Sequence, residues 1–462
     1  MNPPARAWPV VLGVMWVGAC AKRGKSTGTP ASHTGEPGDA VSAGDTGDTA
    51  GEPTDRVDTS ALTDTADSGD PPVSRPRLEG EVEAEIWHVG SSAGGELGAR
   101  VVWTDEQAWV SEPGAGGRVM RLPDGPTFSA DDVDAHLGVA LTSFAGGVLA
   151  GAWSRPGGPE GDGAVYLLTA DVGDLTVESD VEPVLVLYEG VVGMVLLGEG
   201  VGEHPDGWLL GQPRSEGDRG LVALRAGEDH DLVAEWRGVD GGDLAGGAMA
   251  TADLNGDGLR DLAVGAWGQG TFAGAAYAVY GPFSGLNYLE DADATWTGER
   301  WCLAGYTLAA GDVTGDGLED LVVGSFGDTR NGSGSGAFTV VPGGSPTGLV
   351  QDFDAHRLGE SPDAHFSAGL AVADVDLDGM ADVVAGAPDG PAGGTARLYY
   401  GPVEGTGTAW DAQAFDPDGA PRDSLGASMA LRSDAGWLIG APGAVERRGR
   451  VLFVDPTLPL PE

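Results

Sequence analysis

Basic residues are scarce in this chain: 25 Lys and Arg stand against 71 Asp and Glu, a formal charge of -46 over 462 residues. A surface of that sign repels phosphate backbones and anionic membranes, which argues against nucleic-acid binding, and it attracts divalent cations and basic partners. Histidine is thin as well, with seven residues scattered without ligand spacing, so the usual zinc and iron sites have no donors. There is no Gly-x-Ser-x-Gly elbow, His-Glu-x-x-His pair, phosphate loop or Cys/His nucleophile cluster, and the chain reads as a non-enzyme. A glycosidase-like carboxylate pair is the catalytic alternative, but sequence alone cannot set two acids around one pocket. No amphipathic helix of three turns is evident, and after the first twenty residues no apolar run is long enough to span a bilayer. Gly and Pro, by contrast, are plentiful at 80 and 30, and without a Gly-x-y period they favour a fold with many tight turns.

Acidic residues are abundant and also patterned. A nine-residue loop occurs three times, at 253–261, 312–320 and 374–382. Oxygen side chains at positions 1, 3, 5 and 9, with the carbonyl of position 7, are what a hard cation needs. The first set is Asp253, Asn255, Asp257, Leu259 and Asp261; the second is Asp312, Thr314, Asp316, Leu318 and Asp320; the third is Asp374, Asp376, Asp378, Met380 and Asp382. Gly258, Gly317 and Gly379 at position 6 allow the turn that points the preceding carboxylates inward. Flexible carboxylates and a carbonyl suit calcium better than magnesium, so three Ca2+ sites are expected. Nine residues in a hairpin are too few for the helix-flanked twelve-residue calcium loop. The third set has four carboxylates where the others exchange one for Asn255 or Thr314, and it is expected to bind tightest. The ions are expected to be structural, because closely spaced carboxylates repel one another without a cation.

A second repeat runs through the chain. Short strands end in Gly-Ala-Pro or a variant, marked by Ser111, Gly151, Gly211, Gly265, Gly324, Gly386 and Gly440, and from Gly151 onward the marks are 54 to 62 residues apart. A strand opening on Leu or Phe with Gly, Ala or Ser, or on a variant such as Ala245-Gly246, precedes the mark, and an aromatic or branched strand follows it. Three such strands and a variable outer one make one blade, so the expected fold is all-β: a seven-bladed propeller of four-stranded antiparallel blades. Small residues crowd the first strand because inner strands converge on the axis. The seventh blade lacks an outer strand, and Glu83–His88 at the other end of the folded part is placed to supply it and close the ring.

These marks resemble the FG-GAP repeat of integrin alpha subunit propellers and of many bacterial lipoproteins, over roughly residues 80 to 456. The resemblance implies adhesion or protein interaction. A glycan-binding lectin is the alternative, and Trp153, Trp267, Phe326 and Trp301 are candidate exposed aromatics for a ligand face. The ligand is therefore expected to be a protein or glycan, and the chain is read as a monomer. Residues 1–19 resemble a bacterial lipoprotein signal peptide whose last residues Val17, Gly18 and Ala19 form a lipobox with the following Cys20. That resemblance implies lipidation at Cys20 and, with Ala21 next, sorting to the outer membrane or surface of a Gram-negative cell. Cys302 is then left unpaired and reads as a small buried residue. Residues 20–76, rich in Gly, Thr and Asp, bury too little to fold and read as a disordered acidic tether, with the propeller occupying 77–462.

Overall fold

The computed structural model describes residues 85–454, apart from short internal stretches of which the longest are 154–162, 188–194, 198–203 and 416–421. The expected signal peptide, lipidated Cys20 and tether lie outside the described residues. Within them the chain forms seven sheets. The inner strands of blades one to seven are Val101–Trp103, Ala140–Phe144, Val195–Leu197, Ala248–Ala252, Ala304–Gly311, Gly369–Ala373 and Ser428–Arg432, and each pairs antiparallel with the strand after it. Consecutive inner strands touch all the way round, including the last and the first.

The second strand of each blade lies between two neighbouring sheets, so both of its faces are covered. That is why Asp320–Ser325, Asp382–Ala387 and Gly436–Ala441 are buried at every residue and, after the aspartate that opens the first two, read as runs of small and apolar residues. The core is accordingly seven layers among the described residues, one between each pair of adjacent blades. Leu224 and Trp236 of blade three meet Val264 and Tyr277 of blade four in one of them. Leu438 and Val451 of blade seven meet Leu97, Val101 and Val110 of blade one in another. Each large apolar side chain buried in this way contributes about 1.5–3 kcal/mol.

The ring closes as the sequence predicts. Glu85–Val89 pairs antiparallel with Arg450–Val454 and becomes the outer strand of blade seven. The glycine marks do more than crowd the axis, because they set the spacing between blades. A Cβ on Gly440 would lie 2.1 Å from the Gly98 carbonyl oxygen, so the seam between blades seven and one is closed by direct backbone contact.

The expectation of four-stranded blades is corrected in four of the seven. Leu175–Thr176, Gly285–Tyr288, Gly348–Leu349 and Thr406–Thr408 each lie in the connection to an outer strand. Each reaches back to pair, in parallel, with the outer strand of the preceding blade. Blades one, three, four and five gain a fifth strand this way. The cause is loop length: blades two, four, five and six have long third-to-outer connections. In blades one and three the third strand turns within a few residues into the outer one, and such a turn cannot reach a neighbour.

Candidate metal-loop face

All three acidic loops connect an inner strand to a second strand, so they lie at the same end of adjacent blades four, five and six. The first residue of each loop is turned inward by the backbone. Asp253 accepts the N–H groups of Gly256 and Asp257 on Oδ1, at 2.8 and 3.0 Å, and that of Gly258 on Oδ2 at 2.8 Å. Asp312 repeats this with Gly315, Asp316 and Gly317, and Asp374 does so with Asp378 and Gly379. Position 5 accepts the amide two residues on, as Asp257 does from Leu259, Asp316 from Leu318 and Asp378 from Met380. The glycines at position 6 have φ of 85°, 89° and 92°, where a side chain is strained.

Position 9 is the anchor. Asp261, Asp320 and Asp382 have no exposed surface. Asp382 accepts the Val375 N–H at 2.8 Å on one oxygen and the Gly401 N–H at 2.9 Å on the other, which ties the loop to the end of the third strand. Asp261 does the same with Leu254 and Gly281, and Asp320 with Val313, Thr314 and Gly343. Leu262, Leu321 and Val383 at position 10 are fully buried and fix the loops to the blade cores.

Among the described residues, only Asp374, Asp376 and Asp382 bring three carboxylate oxygens within 4.8 Å of one another. Two oxygens bonded to one calcium ion at about 2.3–2.6 Å span at most that order of distance, so the third loop fits the ion. In the second loop the Thr314 hydroxyl is buried beside the Asp320 carboxylate. In the first, the Asn255 Nδ2 donates to Asp257 at 3.0 Å.

Burial pushes Asp382 up to about 7, against the two N–H bonds that favour its charged form, and the charges of Asp376 and Asp378 push the same way. Burial likewise raises Asp261 to about 6 and shifts Asp320 upward. A carboxylate raised above its unfolded value favours the protonated fold. Without metal, this contribution to stability is therefore present below about pH 4 and lost as pH rises through about 7. A bound cation competes with those protons, so the stabilisation conferred by added calcium should grow between pH 5 and pH 8. Thermal melts with calcium and with chelator across this range measure it, and a calcium increment that shrinks as pH rises would contradict the assignment.

The sequence did not reveal that the loops are joined. Glu319 of the second accepts the Asp253 N–H of the first at 2.6 Å and pairs with Arg260, and the Gly344 N–H donates to the Leu254 carbonyl. The Ala381 N–H of the third donates to the Asp312 carbonyl at 2.8 Å. Position 7 of one loop also stands over position 4 of the loop before it. A Cβ on Gly256 would meet Leu318 at 3.0 Å, and one on Gly315 would meet Met380 at 2.7 Å. The signal was present as glycine at position 4 in the first two loops and Leu377 in the third, which has no acidic loop after it in blade seven.

The candidate aromatics sort differently from expectation. Trp301 is 44% exposed, and Trp153 and Trp267 are half-buried, but Phe326 is only 4% exposed because His365 stacks on it at 4.0 Å. Cys302 is buried, as expected, and burial raises its thiol to about 12.

Comparison with known proteins places these observations. The FG-GAP repeat pattern matches residues 245–280 and 304–341, the first three strands of blades four and five with their acidic loops. The phosphatidylinositol-glycan-specific phospholipase D of Mus musculus is 36% identical over 116 residues, 24% of this chain and 12% of that protein. Integrin alpha-PS2 of Drosophila melanogaster is 32% identical over 178 residues, 37% of this chain and 12% of that protein. Integrin alpha-4 of Xenopus laevis is 29% identical over 231 residues, 46% of this chain and 22% of that protein. The chain thus spans less than a quarter of the length of these relatives. Repeat, ring and relatives together establish an FG-GAP, integrin-alpha-like β-propeller fold.

Proposed function

We propose that this propeller is a calcium-stabilised, non-catalytic scaffold that binds a protein or glycan ligand outside the cytoplasm, held to a membrane by lipid on Cys20. The observation that carries the reading is the likeness to integrin alpha chains, reaching 46% of this chain, over a ring whose adjacent blades share continuous cores. A rigid ring presents its connecting loops as a surface while the cations hold the hairpins of blades four to six. The ion sites would be the three loops, with side chains at positions 1, 3, 5 and 9 and the carbonyls of Leu259, Leu318 and Met380 as ligands.

Capture of partners from outer-envelope extracts by the calcium-loaded chain, repeated with chelator, tests the scaffold. Capture is expected with calcium and lost on chelation at the same calcium level at which circular dichroism reports loosening. No capture under either condition would count against a binding role. Calorimetric calcium titration of single-loop variants should rank the third loop tightest, since Asp374, Asp376 and Asp382 already converge. Equal or weaker binding at that loop would overturn the ranking.

A further inference from the structure

The parallel pairings that add a fifth strand keep one register. A glycine stands at the head of each third strand, and the outer-strand residue paired with the third position after it matters most. In blades one, four and five that residue is Thr127, paired with Met120, Thr295, paired with Tyr277, and His356, paired with Thr339. Its N–H turns away from its own sheet and is taken by the connection of the following blade. Thr127 donates to Asp174 Oδ1 at 2.8 Å, Thr295 to Thr347 Oγ1 at 3.0 Å and His356 to the Gly405 carbonyl at 3.3 Å. Asp174, Thr347 and Gly405 each lie eleven residues past the glycine that heads their own third strand, Gly163, Gly336 and Gly394.

Whether a blade gains the extra strand is decided by the blade after it. Blades two and seven are followed by blades three and one, whose connections are short, and among the described residues their sheets end at Leu185–Leu187 and Glu85–Val89. Blade six is the remaining case. Its sheet ends at Gln413–Phe415 among the described residues, and there Ala414, paired with Arg397, holds the place of Thr127, Thr295 and His356. The blade after it is the seventh, whose outer strand comes from the opposite end of the described chain, so nothing turns its third strand, Arg450–Val454, back into an outer one. Residues 455–462 follow that strand and lie outside the described residues. Within them Leu458, Pro459, Leu460 and Pro461 alternate, and Leu460 stands eleven residues past Gly449, the glycine that heads the third strand.

We propose that the outer edge of blade six takes a fifth strand from residues 458–461 of this same chain, parallel to Gln413–Phe415, with the Ala414 N–H donated to the Leu460 carbonyl. Backbone groups of successive strand residues point to opposite edges, so Leu458 and Leu460 face the sheet while Pro459 and Pro461 face away, where no N–H is needed. Proline on that far edge also stops another strand from adding. The pairing is a second clasp on blade seven. Glu85–Val89 holds its third strand within the sheet, and residues 458–461 hold the continuation of that strand to blade six.

Amide hydrogen exchange of the full calcium-loaded chain tests the pairing at Ala414, with the Thr295 and His356 amides as internal references. Exchange at Ala414 is expected to be slowed as it is at those two, and deleting residues 456–462 should speed it at least about tenfold while the references stay unchanged. Leu460→Pro removes an N–H that faces the sheet and should speed Ala414 several-fold, whereas Pro461→Ala, on the far edge, should leave it slow. If the deletion variant does not fold, these two substitutions carry the same test. Fast exchange at Ala414 in the full chain, or slow exchange that survives both the deletion and Leu460→Pro, overturns the pairing. Equal acceleration by Leu460→Pro and Pro461→Ala overturns its register. Protection of Ala414 that appears only when an envelope extract is added would give the edge to a strand of another protein and overturn the proposal as well.

Discussion

Replacing Asp382 with Ala is expected to lower the unfolding free energy by about 4 kcal/mol, because two buried N–H groups, those of Val375 and Gly401, lose their acceptor at once. Each orphaned donor costs about 1–3 kcal/mol, and no water replaces the oxygens unless the site opens, since Asp382 has no exposed surface. Asp382→Asn keeps the shape and one acceptor, so roughly half that loss is expected. Asp316→Ala is the contrast. Asp316 is exposed and accepts one local N–H from Leu318, so chelated protein should lose less than about 1 kcal/mol, while calcium-loaded protein loses the ion's contribution as well. Urea unfolding with calcium and with chelator separates the two effects. An Asp382→Ala variant within 1 kcal/mol of wild type under both conditions would show that position 9 is not an anchor.

Gly440→Ala should be nearly as damaging for a different reason. The new Cβ would fall 2.1 Å from the Gly98 carbonyl oxygen and 2.3 Å from the Ser428 hydroxyl, and the nearer of the two is backbone on the far side of the seam, which cannot rotate away. The blades must separate locally, and a loss of about 3 kcal/mol is expected. Gly146→Ala isolates the other property of glycine. Its φ is 76° and nothing lies within 4 Å of the added carbon, so the cost is backbone strain alone, about 1 kcal/mol. Limited proteolysis near residues 85–90, alongside unfolding curves, should show early cleavage in Gly440→Ala only. Equal stability of the two variants would mean that the seam does not depend on close approach.

Most of the ring was legible because its determinants are local. The glycine marks, the acidic hairpins and the strand that closes blade seven are each set by residues within one short segment, and each appears where the sequence places it. The fifth strands were not legible. Gly285–Tyr288 and Gly348–Leu349 are too short for an alternating pattern, and their partners lie about fifty residues away in another blade. The acidic loops were found one by one, but their linkage through Glu319 and Ala381 depends on the rotation between blades, which a linear reading does not contain.

The strand Glu85–Val89 carries a further implication. It is bound to the ring as the outer strand of blade seven through Arg450–Val454, and the rest of its sheet belongs to the opposite end of the described chain. Any mechanical load arriving through the residues before 85 is therefore borne first by these few pairings. If they part, blade seven loses its outer strand and the ring can open at the seam, while the other six sheets, which contain neither strand, keep every pairing they had. Under such a load, the point where the chain enters the ring and the point of rupture are the same.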